Sequence, residues 1–304
     1  MPLVLVDNNF VDSEELSTYL RRSAINRVAI PHTVFVEWHK GEAERVTRRV
    51  LANVCAHASQ VVVLKDTSWL MGMSGRSAGL LNRLIDGRQT AFFPEYCRTF
   101  IHAPTSEAVS EQFRTHAGNA KGQVDALLPE GHKLMALFKQ WDRAFDRAEL
   151  GAMKGLLGAG RKLPDDLQAK TFLLAEEFAL RSLRRAGLVD LARSRVELVN
   201  LLAFRYAATV VAFYVCWHDA PGAYPSSDKS VLNHLMDIKI AAQATYFDGF
   251  RTHETKLLKV YLVALGLVSA LGGYTLCGGH RGLSVEQRRS FEAAALLSGR
   301  SGAT

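Results

Sequence analysis

The first 66 residues alternate short apolar runs with amphipathic stretches, the pattern of strands and helices taking turns. Leu3-Val-Leu-Val6 is a continuous apolar run, as a strand buried on both faces requires, and Asp7-Asn8-Asn9 stops it. Asp12-Ser13-Glu14-Glu15 predicts a helix start with Asp12 as N-cap and Glu15 three positions on, ahead of Leu16, Tyr19 and Leu20. Arg27 to Ile30 predicts a second strand, closed by Pro31. From Thr33 to Ala58, Val34, Trp38, Val46, Val50, Leu51 and Val54 recur near the helical period and predict one helix. Gln60-Val-Val-Val-Leu-Lys65 predicts a third buried strand.

The alternation then stops. After Trp69 the only strand signal is a weak one at Thr90-Ala-Phe-Phe93, and helical stretches are expected near 75–87, 106–117, 130–149, 165–187 and 189–218. It returns at Ser226-Ser227-Asp228, a cap cluster for a helix running to Tyr246. Gly249 breaks the chain, Phe250-Arg-Thr252 predicts a short strand, and the apolar run 257–271 fits either element type. Ser284-Val-Glu-Gln287 predicts a final helix before a frayed tail. The expected fold class is therefore α/β, with a mostly parallel central sheet flanked by helices and a large helical insertion. In domain terms, 1–66 and 226–283 form a discontinuous α/β domain, 67–225 a helical insertion or cap, and 284–304 a C-terminal helix and tail.

Composition changes this picture little. The 304 residues are 48% hydrophobic and 22% charged, as in ordinary globular proteins. A net charge of +7 and a pI near 9.3 favour a polyanionic partner such as nucleic acid. Cys55, Cys97, Cys216 and Cys277 contain no C-x-x-C pair, which argues against a zinc site or a disulfide framework and for a reducing, cytoplasmic setting. The segments 196–217 and 260–277 are apolar, but Glu197, Asn200 and Arg205 in one and Gly266, Gly272 and Gly273 in the other point to buried elements, so no membrane association is expected. No signal peptide is evident.

The candidate chemistry is a set of acids at element borders. Asp7 closes the first strand, Glu37 follows the second, Asp237 lies in the helix after residue 226, and Glu254 follows the last strand. Converging carboxylates cannot all stay ionised without a cation, and as hard oxygen ligands they select Mg²⁺ or Mn²⁺. Such a site suits phosphodiester hydrolysis, with Asn9 and Thr252 as hydrogen-bonding neighbours. Each acid alone also has an ordinary reading as a cap, turn or solvated-face residue. Arg181, Arg184, Arg185, Arg193 and Arg195 are the densest basic cluster, readable as a solvated face beside Glu176, Glu177 and Asp190 or as a nucleic-acid backbone surface. Phe172, Leu173, Phe178 and Leu180 read as core, as do Phe138, Trp141 and Phe145. Met71 to Gly79 is Gly-rich but lacks a P-loop's G-K-[ST], and reads as a loop leading into a helix.

The motifs resemble those of the PIN domain, a metal-dependent nuclease fold. Leu3 to Asn9 is similar to its opening strand plus D-x-N, Pro31 to Glu37 to the helix carrying its second acid, Asp237 to Ala244 to the helix opened by its third acid, and Phe250 to Glu254 to its T-N-D strand end. His253 stands where Asn is common and Glu254 where Asp is usual, and the long gap between Glu37 and Asp237 has no counterpart in small family members. The resemblance covers roughly 1–66 and 226–265. It implies an endoribonuclease acting on single-stranded RNA with Mg or Mn held by Asp7, Glu37, Asp237 and Glu254. It leaves open DNA flap cleavage and a catalytically silent module that binds RNA, or a protein partner through the helical insertion. A small-phosphate hydrolase is a third reading, opposed by the lack of an Asp-x-Asp pair after the first strand.

Overall fold

A computed structural model describes residues 2–102, 106–158, 161, 163–217 and 227–275. The expected C-terminal helix from Ser284 and residues 276–283 lie outside that set, as does Ser226.

Four parallel strands form the sheet: β1 (Leu3–Val6), β2 (Arg27–Ile30), β3 (Val61–Val63) and β4 (Phe250–Arg251), in the order β3-β2-β1-β4. Val28 pairs with Val4 on one side and Val61 on the other, and Leu5 pairs with Phe250. β1 and β3 are buried throughout, which is why their sequences are continuous rather than alternating. From β1 the chain builds outward through β2 to β3, and β4 is added much later on the other side of β1. The direction of building thus reverses at the β1–β4 border, and the crevice outside the carboxyl ends of strands at such a point is where open α/β sheets bind ligands.

Helices α1 (Asn8–Val11) and α2 (Glu14–Arg21) follow β1, and α3 (His32–Trp38) and α4 (Ala43–Val54) follow β2. Two expectations change here. Ser13, not Asp12, precedes α2; Asp12 ends α1 and pairs with Arg49 at 2.6 Å. The single helix expected over 33–58 is two helices, because Gly41 takes a positive φ of 77° between them and the chain tightens to a 3-10 turn at Cys55–Gln60.

Beyond β3 come α5 (Thr67–Met71), α6 (Leu80–Leu84), α7 (Gly87–His102), α8 (Glu107–Asp125), α9 (Leu128–Trp141), α10 (Arg147–Gly158), α11 (Asp165–Arg185), α12 (Arg195–Asn200) and α13 (Leu202–Trp217). Thr90 to Phe93 is the first half of α7 and not a strand: Asp86 accepts from the Gln89 N–H at 2.8 Å and caps a helix there. The stretch expected over 130–149 ends at Trp141 and restarts at Arg147, and the one expected over 189–218 breaks at the extended Leu201. The loop 72–79 precedes α6 as expected, so the helix expected over 75–87 starts only at Leu80 and ends at Leu84 before the extended Ile85. Gly75 in the loop passes so close to the Glu197 backbone that a Cβ would lie 1.9 Å from the Glu197 carbonyl oxygen.

α14 (Asp228–Ala244) is capped by Ser227, and the run left open in the sequence is a helix, α15 (Thr255–Ala270). α13 packs on α11, α14 and α15, β1 on α14, and β4 on α15. One core cluster runs from Leu3 to Val268 and includes Phe138, Trp141, Phe145 and Phe172. Leu173 departs from its expected core position and is 61% exposed. Among the described residues no helix is long and apolar enough to cross a membrane. The polar residues that argued against a span within 196–217 have packing roles: buried Arg205 donates to Thr245 O at 2.7 Å, Thr245 Oγ1 at 3.1 Å and Asn200 Oδ1 at 2.8 Å, and to Tyr274 O. Contrary to the reading of the cysteines, Cys55 and Cys97 form a disulfide with Cα atoms 5.5 Å apart, joining the 3-10 turn to α7.

A candidate acidic site at the carboxyl edge of the sheet

Asp7 is the first residue after β1. Its buried carboxylate caps α1 by accepting from the Phe10 N–H at 2.9 Å, and its other oxygen accepts from Thr252 Oγ1 at 2.5 Å. Thr252 follows β4, and its hydroxyl also receives the Glu254 N–H at 2.9 Å. Asn9 on α1 donates to Glu254 Oε1 at 2.6 Å. The β1 and β4 ends are therefore laced together by side chains, across the border where the building direction reverses. His253 is exposed, with its ring 5.5 Å from that of Phe10.

Glu37 comes from α3 and Asp237 from α14. Both are half-buried, between the buried Asp7 and the exposed Glu254. Asp237 sits in the middle of α14 and does not open the helix, contrary to the expectation, because Ser227 caps the helix much earlier. Its charge still acts on Glu37, Asp7 and Glu254, and α14 packs on β1. Among the described residues the Glu37 carboxyl has no hydrogen-bond or ion-pair partner, and the charges around it are chiefly carboxylates.

The electrostatics show how the four acids converge. Burial pushes Glu37 up to about 8, and the Asp237, Asp7 and Glu254 charges push the same way against the lowering effect of Lys40. Asp7 rises to about 6, again chiefly by burial; its bonds from Thr252 and Phe10 oppose the rise, and Glu254 and Asp237 add to it. Glu254 is raised by burial and Asp237, with Asn9, His234 and Lys256 opposing.

The sequence reading missed His234, one turn before Asp237 on α14, whose Nδ1 lies 3.8 Å from Asp237 Oδ2. Its i, i+3 spacing from Asp237 was the available signal. The reading also missed buried Asp248, which accepts from the Leu3 N–H at 2.7 Å and ties the chain before β4 to the start of β1.

The donor set is all carboxylate oxygen, which suits a hard dication. Even so, among the described residues no three His, Cys, Asp or Glu side chains are arranged so as to hold a metal ion. The charge pattern and the ligand spacing thus differ. The charge pattern depends on where the backbones carry the acids, whereas ligand spacing depends on side-chain rotamers.

Of the basic cluster, Arg181 and Arg185 face a cleft beside α3 and α14. Arg195 lies over the Phe172 ring at 4.2 Å, and Arg181 pairs with Glu177 at 2.5 Å. Arg184 and Arg193 are exposed and do not line that cleft. None of the four acids lines it either. Comparisons with protein-family models, with curated proteins and with solved structures each give no match.

Proposed function

We propose that the chain is a PIN-like, metal-dependent endonuclease whose substrate is single-stranded RNA. The observation that carries the reading is Glu37: a half-buried carboxyl with no hydrogen-bonding or ion-pairing partner among the described residues, raised to about 8 among three other acids. Such a group is costly in a folded protein unless it serves a charge that arrives with a ligand. The basic net charge and the position at the β1–β4 border agree with a phosphodiester substrate.

In this reading Asp7, Glu37, Asp237 and Glu254 would hold Mg²⁺ or Mn²⁺. Bound there, the ion supplies Lewis acidity and the positive charge that four carboxylates and a phosphodiester otherwise lack. Thr252 and the Phe10 N–H favour the ionised form of Asp7 and fix its direction, and Asn9 does the same for Glu254. Glu37 carries a proton near neutrality and releases it when positive charge enters.

A second reading, a catalytically silent module of the same fold, is favoured by the absence of a three-donor arrangement among the described residues and by the exposure of Glu254. Incubating end-labelled single-stranded RNA and DNA with Mn²⁺, Mg²⁺ or EDTA separates the two, with wild type beside Asp237→Asn. Metal-dependent cutting of RNA that the variant loses supports the nuclease. RNA retained in a salt-sensitive complex without cutting supports the silent module, and neither cutting nor binding removes both.

A further inference from the structure

Beside the acids, and lined by other faces of the same helices, lies an open cleft of about 1010 Å³. Val36 of α3 and Met236 of α14 line it, while Glu37 and Asp237, next in sequence, belong to the acidic site. Its far wall comes from α9 and α11, within the helical region between β3 and α14. On α11 the lining residues Phe178, Arg181, Ser182 and Arg185 follow helical spacing, so one face of that helix is turned to the cleft. The volume lies at the upper end of the roughly 300–1,000 Å³ found for small-molecule sites.

The lining divides into two kinds of surface. Four cations reach it, Lys133, Arg181, Arg185 and Lys239, against two acids, Asp66 and Glu130. Both acids are engaged internally: Asp66 with His32 Nδ1 at 3.1 Å and the Ser68 N–H at 2.7 Å, Glu130 with the Tyr206 hydroxyl at 2.9 Å and Lys239 Nζ at 3.4 Å. Arg181 has Glu177 as an exposed partner. Lys133 and Arg185 have no ion-pair partner among the described residues, so their charge is open to an anion. The other surface is apolar and aromatic. Phe178 and Tyr206 lie with ring centroids 6.1 Å apart, near Leu134 and Leu137. Gln123 and Gln140 add exposed amide groups that can bond a polar ligand edge, whereas the Ser182 hydroxyl is already donated to the Phe178 carbonyl at 3.0 Å.

We infer that this cleft binds a nucleotide, with its phosphate on Lys133 and Arg185 and its base against the Phe178–Tyr206 surface. A flat ring with hydrogen-bonding edges and an anionic end matches both surfaces at once. Inorganic phosphate would use only the cations, and a fatty acid would make no use of the amides. The nucleotide is either free or one unit of a single strand, and the inference does not require the acids to be catalytic.

Calorimetry on the full chain tests this with AMP, adenosine, inorganic phosphate and a 5′-phosphorylated hexanucleotide. The cleft predicts that AMP binds more tightly than adenosine or phosphate. The double variant Lys133→Glu/Arg185→Glu, both sites exposed, should weaken AMP by about 10-fold or more. Phe178→Ala should weaken AMP and adenosine but not phosphate. A hexanucleotide that binds more tightly than AMP and responds to the same variants identifies a strand as the source; AMP as the tighter ligand identifies a free nucleotide. Asp237→Asn should leave AMP binding unchanged, so this inference and the nuclease reading fail separately. Absence of AMP and hexanucleotide binding, binding indifferent to the double variant with its circular dichroism intact, or phosphate binding as tightly as AMP would overturn the assignment.

Discussion

Thr252 Oγ1 donates to Asp7 Oδ2 at 2.5 Å, joining residues 245 positions apart at the ends of two adjacent strands. The bond favours the ionised form of Asp7, whose burial pushes the other way. Thr252→Val keeps the shape and removes the donor. The variant should lose about 1 kcal/mol of stability, and its Mn²⁺ affinity should fall by about 10–100-fold, as for other groups that orient a ligand. Mn²⁺ titration of both proteins measures this, and equal affinities would remove Thr252 from the site.

The raised acids fix a sign for the pH dependence of stability. Glu37 rises from its ordinary 4.5 to about 8, and Asp7 from 3.8 to about 6. Between each pair of values the unfolded chain has released the proton and the folded chain still holds it. The metal-free protein should therefore lose stability as pH rises from about 4 to about 8. Mn²⁺ should raise Tm more at pH 8 than at pH 5, because below the raised pKa values it must displace protons. A metal-free Tm that climbs across this window would contradict the convergence of the acids.

Much of the site follows from strand ends that the sequence displays. Leu3 to Val6 and Val61 to Val63 are legible because strands covered on both faces need unbroken apolar runs. Asp7 and Glu254 are then placed by adjacency to β1 and β4. Asp237 is harder. Local pattern put an acid on a helix, but only the packing of α14 against β1 brings its middle to the strand edge. The helix boundaries were least legible in detail. Gly41 interrupts a helical period that continues on both sides of it, and four residues at Thr90 to Phe93 are too few to separate a strand from half a turn-rich helix. The Cys55–Cys97 pair and the basic cleft depend on helix-to-helix packing, for which spacing along the chain carries no signal.

Glu37→Gln tests whether the unpaired carboxyl is kept for a ligand. At pH 8 the substitution removes a charge repelled by Asp237, Asp7 and Glu254, and the amide has nearly the same volume. The metal-free variant should melt at least about 2 °C above wild type, with stabilisation by Mn²⁺ largely lost. Differential scanning calorimetry with and without Mn²⁺ reads both effects. A variant less stable than wild type without metal would mean that Glu37 has a structural partner instead.

Arg205 supplies the last test, because it connects the helical region to the site's own frame. Its guanidinium is fully buried on α13 and held down to about 10 by that burial. It is bonded to Asn200 and Thr245 and lies over the Tyr246 ring at 3.8 Å. Thr245 and Tyr246 open the turn that leads through Asp248 and Gly249 into β4, and so set where Thr252 and Glu254 fall. Arg205→Met fills similar volume but takes a donor from the Thr245 and Tyr274 carbonyls and from Asn200 Oδ1, which keeps the Tyr274 N–H at 2.7 Å, a cost of roughly 2–4 kcal/mol. Urea unfolding should show that loss, and Arg205→Lys should recover only part of it, since one ammonium cannot span these acceptors. Under conditions where Arg205→Met remains folded, its Mn²⁺ affinity should also fall, because the turn that positions Thr252 is loosened. Full Mn²⁺ affinity in a destabilised Arg205→Met would show that the β4 end is held by Asp248 and the β1 pairing alone.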